Sequence, residues 1–283
     1  MPIFESVPNI SEGRDRQKIN ALLEVIRPLA DLQILDYSSD ADHNRSVFTY
    51  IGTYAAVLRA GTVLVKKAAE ILDLKTHSGV HPRLGVVDVL PIIPVWQADM
   101  ADAVRLAREL GGEIQKCGVP VVFYEYAALN PSERNLADIR RKRYNDRHST
   151  AGLVCVGARN YLVAYNVNLD TANVSVAQTI AGQIREQGGG LRGVKALGLY
   201  LQSRSCAQVS MNLVAPEIIG PREAYAKVKS LAEGVGVQVK EEELIGVLPE
   251  VVAQEARKLS ADIDRKIALL KNMGEKAKEK KLR

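Results

Sequence analysis

One order of secondary-structure elements, met twice along the chain, constrains this sequence more than any other feature. Residues 3–7 have the makings of a strand. An amphipathic helix follows over about 16–26, where Ile19, Leu22, Leu23 and Ile26 recur at helical spacing. Residues 32–37 and 46–52 read as strands joined by a polar loop at 38–44. A long helix over 53–72 and an apolar strand over 86–95 complete a β-α-β-β-α-β unit, the split β-α-β of ferredoxin-like folds. The order returns as a strand at 161–168, a helix at 174–187, strands at 194–202 and 208–214, a helix at 221–234 and a strand within 237–247. Between the two units lies an insertion expected to contain a helix, a strand and a basic loop. The expected fold class is therefore α/β (α+β), with two ferredoxin-like subdomains and a ligand groove between them. The expected divisions are 1–170, 171–258 and a basic helical tail at 259–283.

Composition supports a layered core. Aromatic residues make up only 5% of the chain, so aliphatic side chains must fill the interior, as under helices packed on a twisted sheet. No apolar run approaches the roughly 20 residues that span a bilayer. The first residues lack the basic and apolar regions of a signal peptide. The three cysteines are odd in number and far apart, with no C-x-x-C pair, which fits a reducing cytoplasm. Cys155, within Leu153-Val154-Cys155-Val156, reads as a small buried hydrophobe. The net charge of +5 is concentrated after residue 264, where a lysine-rich helix end is expected to be solvated; neither membrane nor nucleic-acid binding is expected.

The densest polar cluster is Thr76-His77-Ser78-Gly79-Val80-His81-Pro82-Arg83-Leu84-Gly85, between a long helix and a buried strand. Glycine-rich loops at a sheet edge are where function concentrates. His77 and His81 are four apart, but Gly79 and Pro82 argue against the helical face that would make them a metal pair. A catalytic histidine is the sharper reading, because an imidazole near pKa 6.5 both takes and gives protons at neutral pH. A pair of loop histidines bonded to backbone is the plainer one. Three further clusters are Asp36, Asp40, Asp42, His43, Asn44 and Arg45 in the first hairpin; Asn9 to Gly13 after the first strand, where Asn9 or Ser11 could cap the next helix; and His148-Ser149-Thr150-Ala151-Gly152. The run from Gly188 to Gly193 follows a helix and precedes a strand, so it is no phosphate loop and reads as a flexible connection or lid.

At these residues the sequence resembles a known family. Val7-Pro8-Asn9-Ile10-Ser11-Glu12-Gly13, Asn44-Arg45-Ser46-Val47 and His77-x-Gly79-x-His81-Pro82-Arg83-x-Gly85-x-x-Asp88 are similar to glutamate formimidoyltransferase, the N-terminal half of formimidoyltransferase-cyclodeaminase. Gly157-Ala158-Arg159, Leu162 to Leu169 and Ala207 to Leu213 continue the resemblance in the family's order. The resemblance implies a cytoplasmic homodimer that transfers a formimino group between N5 of tetrahydrofolate and L-glutamate, in histidine catabolism, with tetrahydrofolate as co-substrate and no metal. It makes His81 the general acid/base and His148, Ser149, Thr150, Ala151 and Gly152 the retained part of a folate loop. Asn9, Asp40, Asn44 and His77 complete the expected binding set, and Arg45, Arg83 and Arg159 are expected to anchor carboxylates.

The sequence departs from the family pattern in three places. The stretch before His148 is shorter and leaves the basic run Arg140 to Arg147. Ser38 stands where the family has an acid, with Asp40 as the expected stand-in. Val80 replaces a common Glu. A cyclodeaminase half is not expected. Two other readings follow from these departures: a related formyl or amidine transferase with another acceptor amine, and a non-catalytic binder of folate or other anions.

Overall fold

The computed structural model describes residues 1–281, with side chains through residue 269; the basic residues expected after that lie outside the described side chains. The first unit contains β1 (Ile3–Ser6), β2 (Asn9–Ile10), α1 (Arg16–Glu24), β3 (Leu32–Asp40), β4 (Arg45–Gly52), α2 (Tyr54–Ile71) and β5 (Val87–Trp96). The short β2 continues β1, since both pair with β4 on one side and β5 on the other. The strands therefore lie side by side as β3, β4, β1/β2 and β5, the ferredoxin-like arrangement with the first strand inside. The insertion supplies α3 (Met100–Lys116), β6 (Val121–Glu125), α4 (Leu136–Arg141) and β7 (Val154–Ala158). It extends the same sheet: β7 pairs parallel with both β5 and β6.

The second unit contains β8 (Val163–Leu169), α5 (Val174–Ile184), β9 (Val194–Leu201), β10 (Cys206–Leu213), α6 (Pro221–Glu233) and β11 (Val239–Ile245). Its sheet runs β11, β8, β10, β9, again with the first strand inside. The same arrangement thus recurs without visible sequence repetition, because alternating strands and 3.6-period helices suffice to encode it. β8 pairs with β10 and β11, so the second unit begins by Val163 rather than at the expected 171.

Helices α1, α2 and α3 cover one face of the first sheet, over a core that includes Phe4, Phe48, Leu64, Leu90 and Leu110. Helices α5 and α6 cover one face of the second, over Val167, Val209, Met211 and Ile180. On β10 the residues that alternate with this core are Gln208, Ser210 and Asn212, and on β8 they are Asn166 and Asn168. Strand periodicity puts all five on the opposite face. That polar face is turned toward the first unit, as its contacts below show. The other face of the first sheet is closed at one corner by α7 (Pro249–Lys281), where Val252, Ala256 and Ile263 pack on Ile3 and Ile51. The expected division at 258 therefore falls inside a docked helix. Ile263, inside the tail expected from 259, is 3% exposed, so the first turns of that segment are docked.

Three other expectations change. The loop expected at 38–44 shrinks to a turn because β3 continues through Asp40 against Arg45. The insertion, expected to hold one helix and one strand, contains a second of each, α4 and β7. The Gly188–Gly193 stretch is a bonded turn rather than a lid: Gly190 N–H donates to Arg185 O, Leu191 N–H to Ile184 O, and Gly193 N–H to the Glu186 carboxylate at 3.0 Å. No helix among the described residues is long and apolar enough to cross a membrane.

Candidate functional site

His81 sits in the segment that leads from α2 into β5, facing residues from four other elements. Its Nδ1 lies 2.9 Å from Pro82 O, which assigns the proton to Nδ1 and leaves the Nε2 lone pair as the basic atom. Arg45 Nη1, from the first residue of β4, is 2.7 Å from Nε2 and 2.9 Å from Nδ1, so it lies across the imidazole. His43 stacks beside the ring, with centroids 6.1 Å apart and planes 25° apart. Burial holds the His81 pKa well below 6.5; Arg45 and then Arg140 depress it further. The ring is therefore neutral at neutral pH. Burial also lowers Arg45, to about 10, with Asp88 opposing.

The loop around His81 is held by side chains that sequence reading had offered to substrate. Asn44, in the left-handed region with φ 45°, accepts from Gly13 N–H at 2.9 Å and donates to Ser78 O at 2.9 Å. His77 Nε2–H donates to Asn44 O at 2.9 Å, and Arg83 Nη1 contacts its Nδ1. Burial and Arg83 together lower the His77 pKa. Arg83 Nε also donates to His81 O at 3.0 Å. Asn9 donates to Val7 O at 2.8 Å at the lip of the site. Asn44 and His77 thus act as scaffold. Of the expected anchors, Arg45 is brought to the His81 imidazole, and Arg83 to the His77 ring and the His81 backbone carbonyl.

Asp40 is not free for a ligand. It accepts from His43 N–H at 2.7 Å and pairs with Arg204 of the second unit at 3.3 Å. Arg159 is not brought to His81 either. Its N–H donates to Ile92 O at 3.1 Å, five residues along β5 from Val87, which places it about 16 Å down the strand. There it faces Glu5, whose carboxyl burial raises to about 7 while Arg159 pulls it back.

The segment from His148 to Gly152 lies directly beside the His81 turn. Gly85 and Gly152 form an antiparallel bridge, Leu74 N–H donates to Thr150 O at 2.8 Å, and Val86 N–H donates to Ala151 O at 2.9 Å. A Cβ on Gly85 would stand 2.1 Å from Leu153 O, so only glycine permits this approach. His148 Nδ1 accepts from Ala151 N–H at 3.0 Å and closes its own turn. Ser149 is exposed at the tip and Ala151 is buried.

The sequence singled out Asp42 and His43 in the first hairpin but not their partners in the second unit. His43 Nε2 lies 3.0 Å from Gln208 Oε1 on β10, and Gln208 Nε2 donates to Asn168 Oδ1 at 2.8 Å. Asp42 accepts from Ser203 N–H at 2.9 Å and Ser203 Oγ–H at 2.5 Å. The first hairpin is thus docked on the second unit, and both units position the histidine pair. The signal for the second unit's share was the alternation in Asn166-x-Asn168 and Gln208-x-Ser210-x-Asn212. Arg140 was read as part of a loose basic loop. Instead it pairs with Asp88 at 2.6 Å, while Arg141 pairs with Asp138 and Lys142 with Glu133.

Asn9, Ser11, His43, Arg45, His81, Arg83 and Asp88 enclose a void of about 10 Å³, room for one water. A larger cleft of about 400 Å³ opens between the units beside Ile93, Tyr161 and Pro216. Among the described residues, no group of three or more His, Cys, Asp or Glu is arranged to hold a metal ion. The donors at His81 are guanidinium, imidazole and hydroxyl groups, with the Arg45 Nε buried and unpartnered. That set suits an anionic organic substrate.

Known proteins carry the same arrangement of sequence. The model of the formiminotransferase domain, N-terminal subdomain, matches residues 3–159, and that of the formiminotransferase domain matches 164–273. Glutamate formimidoyltransferase of Streptococcus pyogenes serotype M1 is 39% identical over 266 residues, covering 87% of this chain and 89% of that protein. The same enzyme of Thermoplasma acidophilum is 37% identical over 270 residues, covering 88% and 89%. Formimidoyltransferase-cyclodeaminase of Gallus gallus is 34% identical over 273 residues, covering 88% of this chain and half of that longer protein.

Proposed function

The chain belongs to the formiminotransferase family and is a transferase, and from that premise we propose that it passes a formimino group between L-glutamate and N5 of tetrahydrofolate, with His81 as general acid/base. One observation carries this reading: a neutral imidazole whose Nε2 lone pair faces a guanidinium 2.7 Å away, in a site rich in arginine. The donor, N-formiminoglutamate, bears two carboxylates and an amidine. N5 of the folate attacks the amidine carbon. His81 Nε2 takes the N5 proton as the tetrahedral adduct forms and returns it to the glutamate nitrogen as the C–N bond breaks. N5–H and the formimino-amine become formimino-N5 and free amine, so protons balance and no redox step is needed.

The arginines give the step its timing. The 10 Å³ void admits neither substrate, so binding must draw Arg45 away from the imidazole. A substrate carboxylate forming a fork with Arg45 offsets the Arg45 charge, which after burial is the largest influence holding the His81 pKa down. The base is then stronger when substrate is present than before it arrives. Tetrahydrofolate acts as a co-substrate, and the His148–Gly152 segment, bridged to Gly85, is its expected neighbour.

The test is chemical: purified protein with tetrahydrofolate and N-formiminoglutamate should form free glutamate and formimino-tetrahydrofolate in equal amounts. The reading would be abandoned if a folded preparation released no glutamate with tetrahydrofolate present yet turned over a formyl or other amidine donor.

A further inference from the structure

Arg140 belongs to a six-residue helix with an anchored interior. Ile139 of α4 is fully buried among Leu84, Val89, Tyr124, Leu153 and Cys155, which fixes the helix against the strand that follows the His81 turn. From there Arg140 Nη2 reaches Asp88 Oδ2 at 2.6 Å, with side chains 20% and 4% exposed. The other carboxylate oxygen, Oδ1, accepts from Leu84 N–H at 2.6 Å. Asp88 therefore has two tasks. One oxygen ties down the end of the turn that carries His81, Pro82 and Arg83, and the other is held by a guanidinium from a helix that cannot drift. A carboxylate this deeply buried needs such a counter-charge, because leaving it unpaired is costly.

We propose that Arg140 is a positioning residue of the transfer reaction, acting through Asp88 on the turn from His81 to Leu84. The proposal rests on the transfer reading above for its kinetic readout but not for its titration readout. Around His81, Arg45 from β4 and His43 from the first hairpin meet the ring, Arg83 on its own turn bonds its backbone carbonyl, Asp88 on β5 lines the same void, and the Arg140 charge from α4 depresses its pKa. Arg140 is the one cation among them that arrives from the insertion and that touches no other part of the loop directly. Its charge and the Asp88 charge act on the imidazole in opposite senses.

The experiment uses the full chain with Arg140→Gln, Arg140→Lys and Asp88→Asn, reading both steady-state transfer and the NMR titration of the His81 imidazole. Arg140→Gln is expected to lower kcat about 10- to 100-fold with KM for N-formiminoglutamate within about 3-fold, the signature of misplacement rather than lost binding. The His81 titration should move up in Arg140→Gln, move down in Asp88→Asn, and return toward wild type in Arg140→Lys along with most of the rate. Asp88→Asn keeps the test open should the glutamine variant fold poorly. Titrations that stay put in both neutralised variants, or a change confined to KM, would overturn the assignment. A wild type without transfer activity would instead defeat the functional reading and leave the titrations to judge the clamp.

Discussion

Replacing Gln208 by leucine tests whether the second unit helps to build the site or only sits beside it. Gln208 is fully buried on β10. Its Oε1 lies 3.0 Å from His43 Nε2 and its Nε2 lies 2.8 Å from Asn168 Oδ1. Leucine is of similar volume, so the cavity contribution is small and the loss is mostly polar. Two buried groups lose their partner, each at about 1–3 kcal/mol, which gives about 2–4 kcal/mol in all once partial relaxation is allowed. His43 is released from the second sheet, and with it the ring stacked beside His81. The assay is chemical denaturation of both proteins, followed by transfer kinetics on the folded fraction. We expect the midpoint to fall accordingly and kcat to fall about 10-fold or more, on the scale of a misplaced catalytic group. A variant within about 0.5 kcal/mol of wild type and with unaltered kcat would refute the reasoning, since that is the range of an ordinary surface change.

Three further outcomes follow from the geometry. Glu5 is 4% exposed with its pKa raised to about 7 from 4.5, so the folded state holds its proton more tightly and stability from this group falls as pH rises through that window. Glu5→Gln should therefore gain on wild type by up to about 3 kcal/mol between pH 4 and pH 8, read from urea midpoints at each pH. Gly85→Ala places a Cβ 2.1 Å from Leu153 O, so the bridge to Gly152 must open; a loss of about 2–3 kcal/mol and a roughly 100-fold drop in kcat are expected from thermal unfolding and kinetics. The acid limb of kcat/KM should lie below pH 6.5, because the free imidazole is depressed by burial and Arg45, whereas the limb of kcat should lie higher once substrate engages the arginine; coincident limbs would contradict the exchange of partners.

The architecture was legible because it is encoded locally. Ile19, Leu22, Leu23 and Ile26 repeat at helical spacing, Tyr165, Val167 and Leu169 alternate with Asn166 and Asn168, and together such stretches spell the two units. His81 was legible because Gly79 and Pro82 mark a loop and the His-Pro-Arg motif is specific. What was not legible depends on pairings across space. Arg140 and Asp88 are 52 residues apart, and in sequence Arg140 merges with a basic run whose other members face solvent or local acids. Asp40 looked available until Arg204 of the second unit occupied it. Arg159 follows a motif shared with the family, but a shared order along the chain does not say which end of β5 it reaches. Strand β7 was hidden by the polar turn just before it, and its parallel partners are supplied by distant segments.

If His81 moves the proton in formimino transfer, then comparing wild type with His81→Ala for turnover of N-formiminoglutamate by tetrahydrofolate, alongside folate binding by each, reads its role directly. The expected result is a fall in kcat of about 100- to 10,000-fold with folate affinity nearly unchanged. Turnover that survives the substitution within a few-fold would contradict it and remove His81 from the chemistry.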